Sequence, residues 1–223
     1  MAAPEQTGRL VRVVDHGPDT RSLILRPPDR LDFRPGQFIS CLLPVGDERL
    51  TRPYSIASNP GEDDLEICLD RVGTGSAYLL GLPIGTEVVF TGPWGTFALD
   101  RAPAVEAVFI ADGTGIAPIR PMLHRVITSG PTHPLRLVHA QRPGGSPLYR
   151  AELQALARAQ PLLTIDYVDS AALHDIVARR WVDADGERGR CFFICGVGDI
   201  VPTLRDRLRA AGYERRAVRY ERW

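Results

Sequence analysis

The chain has 223 residues, 44% of them hydrophobic and 24% charged, and its 27 basic and 27 acidic residues cancel to a formal net charge of zero. That length accommodates two domains with a core each, while no apolar run nears the ~20 residues of a membrane helix and no charge excess points to nucleic acid. All basic residues are arginine, which excludes Schiff-base chemistry and a lysine-bearing phosphate loop. The neutral total conceals a division: residues 1–100 carry 9 arginines against 14 acids and residues 101–223 carry 18 against 13. A basic second half suits an anionic cofactor or an acidic protein partner, with a solvated surface as the plain alternative. The N-terminus lacks the charged start and apolar stretch of a secretory signal, so a cytoplasmic location is expected. The four cysteines, Cys41, Cys68, Cys191 and Cys195, form no CxxC pair and no cluster or zinc spacing, so no metal is expected.

In chain order, short β segments fall at 10–15, 22–26, 37–43, 53–58, 65–70 and 87–91, with turn residues between them and one short helix at 76–80. Six such strands predict an antiparallel six-stranded β-barrel over residues 1–102. Pro53 inside a strand predicts an edge or a bulge, where a missing N–H is tolerated. From residue 103 apolar runs alternate with amphipathic stretches: strands at 107–111, 135–140, 163–168, 191–195 and 217–220, helices at 119–129, 149–159, 173–179 and 200–211. This is the pattern of an α/β domain, residues 103–223, with a five-stranded parallel sheet and ligands at the carboxyl ends of its strands.

Two motifs carry the chemistry. Arg52, Pro53, Tyr54 and Ser55 offer a guanidinium for a phosphate, a phenol ring for a planar heterocycle and a hydroxyl for a ring nitrogen. The run GTGIAP, residues 113–118, follows an apolar strand and opens a helix, which is where a glycine-rich turn presents backbone N–H groups to phosphate. Gly113 and Gly115 permit close approach, and Pro118 suits the first helical turn. Gly73, Gly75 and Ser76 precede the helix of the first domain, where Arg52 can share a phosphate with the helix start; a capped helix is the plainer reading. GPWGTF, from Gly92 to Phe97, ends the last barrel strand.

The order RPYS, GTGSAYL, GPWGTF, GTGIAP, CGVGDI and a terminal aromatic resembles the ferredoxin–NADP reductase superfamily over nearly the whole chain. The resemblance implies that Arg52, Tyr54 and Ser55 hold a flavin, Arg52 on its phosphate, Tyr54 against the ring or ribityl chain and Ser55 near N5, with Gly75 and Ser76 completing the phosphate site. It implies that Gly113, Thr114 and Gly115 take the nicotinamide dinucleotide pyrophosphate, that Cys195, followed by Gly196, lies beside the nicotinamide, and that Glu221 and Trp223 serve the flavin, the indole covering its face. FAD is implied in preference to FMN. Asp112 departs from the pattern, since the family has a small residue there; it either faces away or caps the turn. No Ser-Arg pair stands between Asp169 and Arg190, and Arg142 is the remaining candidate for a 2′-phosphate, so NADH against NADPH stays open.

The expected activity is hydride transfer from NAD(P)H to bound FAD, with electrons passed singly to ferredoxin, flavodoxin or an oxygenase component. An NAD(P)H:free-flavin reductase and an electron-relay subunit of a larger redox complex are the alternatives. Arg205, Arg207, Arg209, Arg215, Arg216, Arg219 and Arg222 are expected either to dock an acidic carrier or to form a solvated face.

Overall fold

Alternating burial builds the first sheet: along Phe38–Val45 every second residue from Ile39 to Leu43 is buried, so one face meets a core and the other stays partly wet. The computed structural model describes residues 4–142 and 145–223. Its N-terminal strands are β1 (Gln6–Asp15), β2 (Thr20–Arg26), β3 (Phe38–Val45), β4 (Glu48–Ser55), β5 (Leu65–Asp70) and β6 (Glu87–Trp94), in the spatial order β4-β3-β6-β1-β2-β5 with antiparallel pairing. An isolated bridge between Ile56 and Ile67 ties the end of β4 to β5 and closes the sheet around fully buried Leu10, Leu25, Ile39, Ile67 and Phe90. The helix α1 (Thr74–Leu80) follows β5.

The strand expected at 53–58 instead begins at Glu48 and ends at Ser55. Its first half is polar because it lies at the open edge of the sheet order, beyond a Gly46–Asp47 hairpin turn that pairs Val45 with Glu48. Pro53 sits on this edge strand, where a missing N–H is tolerated.

The second sheet is wholly parallel: β7 (Ala107–Asp112), β8 (Leu135–Gln141), β9 (Leu163–Asp169), β10 (Cys191–Gly196) and β11 (Val218–Arg222), in the order β11-β10-β7-β8-β9. The order reverses between β7 and β10, the switch point at which such sheets bind ligands. Helices α2 (Ile116–Thr128), α3 (Arg150–Ala159), α4 (Leu173–Val177) and α5 (Ile200–Ala210) connect the strands. The expected helix at 173–179 keeps α geometry only to Val177 and widens into a π turn over Ala178–Asp183. That turn buries Trp181 edge-on against Phe192, ring centroids 5.9 Å apart.

At the amino ends of the strands a polar network replaces the apolar core. Arg190 bridges Glu106 and Asp185, Arg136 adds a second guanidinium to Glu106, and the buried Tyr213 hydroxyl bonds to Asp185 and lies 2.9 Å from the Trp181 carbonyl oxygen. The chain divides into two compact units, Met1–Asp100 with Arg120–His124, and Arg101–Ile119 with Arg125–Trp223.

Candidate functional site

In the first unit the edge strand β4 puts Arg52, Pro53 and Tyr54 in succession, with Ser55 buried at its end. Arg52 is exposed, and its side chain lies on the start of α1: a Cβ added to Gly75 would stand 2.9 Å from Arg52 Cγ and 3.6 Å from its Nε. Only glycine allows the guanidinium stem that approach. The first turn of α1 carries no acidic residue. Ser76 turns inward, where its hydroxyl accepts from the N–H groups of Val72 and Gly73 at 2.9 and 3.1 Å and donates to the Gly73 carbonyl at 3.0 Å. Its contribution is thus the shape of the turn. Tyr54 is half-buried, and that burial raises its phenol pKa, so it stays protonated.

In the second unit the turn at Gly113–Gly115 crosses the top of β7 at the switch point. Gly113 adopts φ +55°, a left-handed conformation that a side chain disfavours, and a Cβ there would meet nothing within 4 Å. Gly115 is the opposite case: a Cβ would overlap the Cys195 carbonyl oxygen and stand 2.8 Å from Gly196 N. Pro118 lies in the first turn of α2, which has no acidic residue. Asp112 does not cap the turn; its carboxylate accepts a hydrogen bond from the Ser170 hydroxyl at the end of β9.

Cys195, next to last in β10, lies fully inside the unit, and burial drives its thiol pKa well upward, reinforced by the Glu221 carboxylate and opposed by a side-chain hydrogen bond with Trp223. It is a neutral thiol. Glu221 stands beside it in register on β11, and Trp223 is anchored by its own backbone, its N–H donating to Gly196 O at 3.1 Å and its carbonyl accepting from Gly198 N at 3.2 Å. Gly196 is buried and Arg142 exposed. The basic run is largely self-engaged: Arg205 pairs with Asp206 and lies over the Tyr220 ring, Arg209 lies over the same ring, Arg216 pairs with Glu214, and Arg222 pairs with Asp199.

Sequence reasoning missed His139. The parallel register lays Glu221, Cys195, Ala111, His139 and Tyr167 in one row across the sheet, just below the turn. His139 is 1% exposed, and its Nε2 lies 3.4 Å from the Gly113 carbonyl oxygen. Burial holds its pKa down at about 4 against the opposing pull of that carbonyl. A polar residue inside the otherwise apolar stretch LVHA was the available signal.

The residues fit the groups that the sequence implies. The Gly75 approach and the exposed Arg52 guanidinium suit a flavin phosphate. At the carboxyl ends of β8 and β9, His139 Nδ1, Gln141 Oε1 and the Tyr167 hydroxyl are buried without a partner among the described residues. Among the described residues no cluster of three or more His, Cys, Asp or Glu could hold a metal.

Comparison with known proteins follows the same division. Residues 8–99 match the oxidoreductase FAD-binding domain and residues 109–198 the oxidoreductase NAD-binding domain. The chain is 31% identical to ferredoxin–NADP reductase B of Sorangium cellulosum, with 96% of both chains covered. It is 29% identical to the ferredoxin reductase component of the 3-ketosteroid-9-alpha-monooxygenase of Mycolicibacterium smegmatis over 92% of this chain, spanning only 61% of that relative. Among solved structures, a cytochrome P450 reductase of Amycolatopsis superposes with a TM-score of 0.83 at 25% identity, covering 98% of this chain and 69% of that one. A Plasmodium falciparum ferredoxin–NADP+ reductase, at a TM-score of 0.81 and 18% identity, covering 98% of this chain and 96% of that one, shares the fold.

Proposed function

This chain belongs to the ferredoxin–NADP reductase superfamily of NAD(P)H-dependent flavoprotein oxidoreductases, and on that premise we propose that it oxidises NAD(P)H through bound FAD and delivers the electrons singly to a separate protein carrier. Bound there, FAD would supply the conversion between a two-electron donor and a one-electron carrier.

The protein's part is to bind and orient. Arg52 and the start of α1 hold the flavin phosphate, Tyr54 packs along the cofactor, and Ser55 supplies a hydroxyl to the flavin ring. The turn at Gly113–Gly115, with Thr114 at its centre and the start of α2 behind it, takes the dinucleotide pyrophosphate. Cys195, Gly196 and Glu221 border the nicotinamide, the neutral thiol offering a small uncharged neighbour. Trp223 belongs with them. The observation that carries the reading is the paired construction: an arginine lying on one helix start and a glycine turn pressed onto the switch point of a parallel sheet.

The carrier is a ferredoxin, a flavodoxin or an oxygenase component. Relatives named as reductase components of oxygenase systems support this. The test supplies NADH or NADPH with a ferredoxin, a flavodoxin or free riboflavin as acceptor. Reduction of a protein carrier with bound FAD retained supports the proposal. Turnover with free flavin alone, by a protein isolated colourless, contradicts it in favour of a free-flavin reductase.

A further inference from the structure

We propose that His139 is a positioning residue for nucleotide binding, fixing the phosphate turn from beneath through the Gly113 carbonyl; this rests on the proposed role of that turn. A turn that receives an anion must direct N–H groups outward and carbonyls away. The peptide between Gly113 and Thr114 is planar and trans, so its carbonyl and its N–H point in opposite directions. Holding the one downward aims the other upward.

The Gly113 carbonyl has two holds. It accepts from the Ile116 N–H as the helix begins, and His139 Nε2 approaches it at 3.4 Å from the row of residues below. A carbonyl oxygen only accepts, so Nε2 carries the proton; with the ring buried and neutral, Nδ1 is the bare nitrogen, and it has no partner among the described residues. The tautomer is therefore dictated by the turn. Gly115 is held as firmly, against the Cys195–Gly196 peptide, and Asp112 through Ser170. Of these three anchors His139 alone places an uncharged donor under the left-handed glycine, where flipping the peptide would turn a carbonyl toward the phosphate.

The test compares wild type with His139→Leu, which fills the space without a donor, and His139→Gln, whose side-chain amide can still donate. Binding of NADH and NADPH is followed by calorimetry with FAD bound, alongside steady-state kinetics and thermal unfolding. We expect His139→Leu to raise the dissociation constant about fivefold, the loss of one modest hydrogen bond. The kcat at saturating nucleotide and the FAD content stay unchanged, the midpoint of unfolding does not fall, and His139→Gln restores most of the affinity. A purely structural role would lower stability and flavin content together with affinity. In wild-type protein, nitrogen NMR of the histidine ring should show the neutral Nε2–H tautomer at pH 7, a readout independent of how the variants fold. The Nδ1–H tautomer overturns the proposal, as does unchanged nucleotide affinity in His139→Leu. If wild-type protein retains FAD but binds neither nucleotide, the reading of the turn fails and the proposal with it.

Discussion

The two units hold their candidate ligands in opposite ways. In the first the functional groups are side chains on an exposed edge strand, and the glycine beside them, Gly75, makes room for an arginine. In the second they are backbone groups of a turn, and Gly115 makes room for another stretch of backbone. A site of side chains is weakened by deleting atoms, whereas a site of backbone is weakened by adding them. Substitutions that respect or violate this contrast should therefore have effects confined to one unit.

The largest effect is expected at Gly115→Ala, whose methyl group would overlap the Cys195 carbonyl. Overpacking of this kind costs about 1–3 kcal/mol, which as lost nucleotide affinity is about fivefold to 150-fold, and FAD content should not change. Gly113→Asn is the sharpening control: its side chain would enter open space and asparagine tolerates the left-handed region, so binding titrations should show a much smaller loss. Equal losses would mean that the conformation of the turn matters and its contact with β10 does not.

Acid should weaken the second unit through His139. Its pKa is about 4 in the fold against an ordinary 6.5, so in that interval the unfolded chain binds the additional proton. Stability is complete above pH 6.5 and declines as pH falls toward 4, a change on the order of 3 kcal/mol. Denaturant unfolding followed by Trp181 fluorescence checks this, and His139→Leu should remove most of the slope.

Arg52→Ala should lower FAD affinity about tenfold, the worth of a charge-assisted hydrogen bond to phosphate. Flavin retained through gel filtration reports it, and thermal unfolding of the second unit should not respond. Tyr213→Phe removes one hydroxyl from the Asp185–Arg190 network and should cost about 1–2 kcal/mol in the second unit without altering FAD content. Arg142→Ala is the mildest change, because the side chain is exposed: a rise of about threefold in KM for NADPH with none for NADH is the expected rim effect.

The sequence displayed most of this architecture because both sheets advertise themselves through apolar periodicity. The central parallel strands β7 and β10 are legible as short apolar runs, and GTGIAP is legible as a glycine turn between a strand and a helix. What was hidden follows from interactions that periodicity does not encode. The polar start of β4 reads as loop because an edge strand needs no apolar side chains. The start of α2 at Ile116 is obscured by Pro118 and Pro121. His139 and the Asp185–Tyr213 pair acquire their roles only when register and packing bring distant residues together. Ser76 could be read as a phosphate ligand, yet local geometry turns its hydroxyl into the helix cap.

FAD bound by the first unit and hydride transfer to it from NAD(P)H together make up the proposed function. Anaerobic titration of the purified protein with NADH and with NADPH, followed by its absorption spectrum, tests this most directly. The expected result is a yellow protein whose flavin bands bleach with at least one nucleotide, and a Gly115→Ala variant that stays yellow but bleaches only at far higher nucleotide concentration. A protein that stays yellow with both nucleotides, or that binds no flavin, would contradict it.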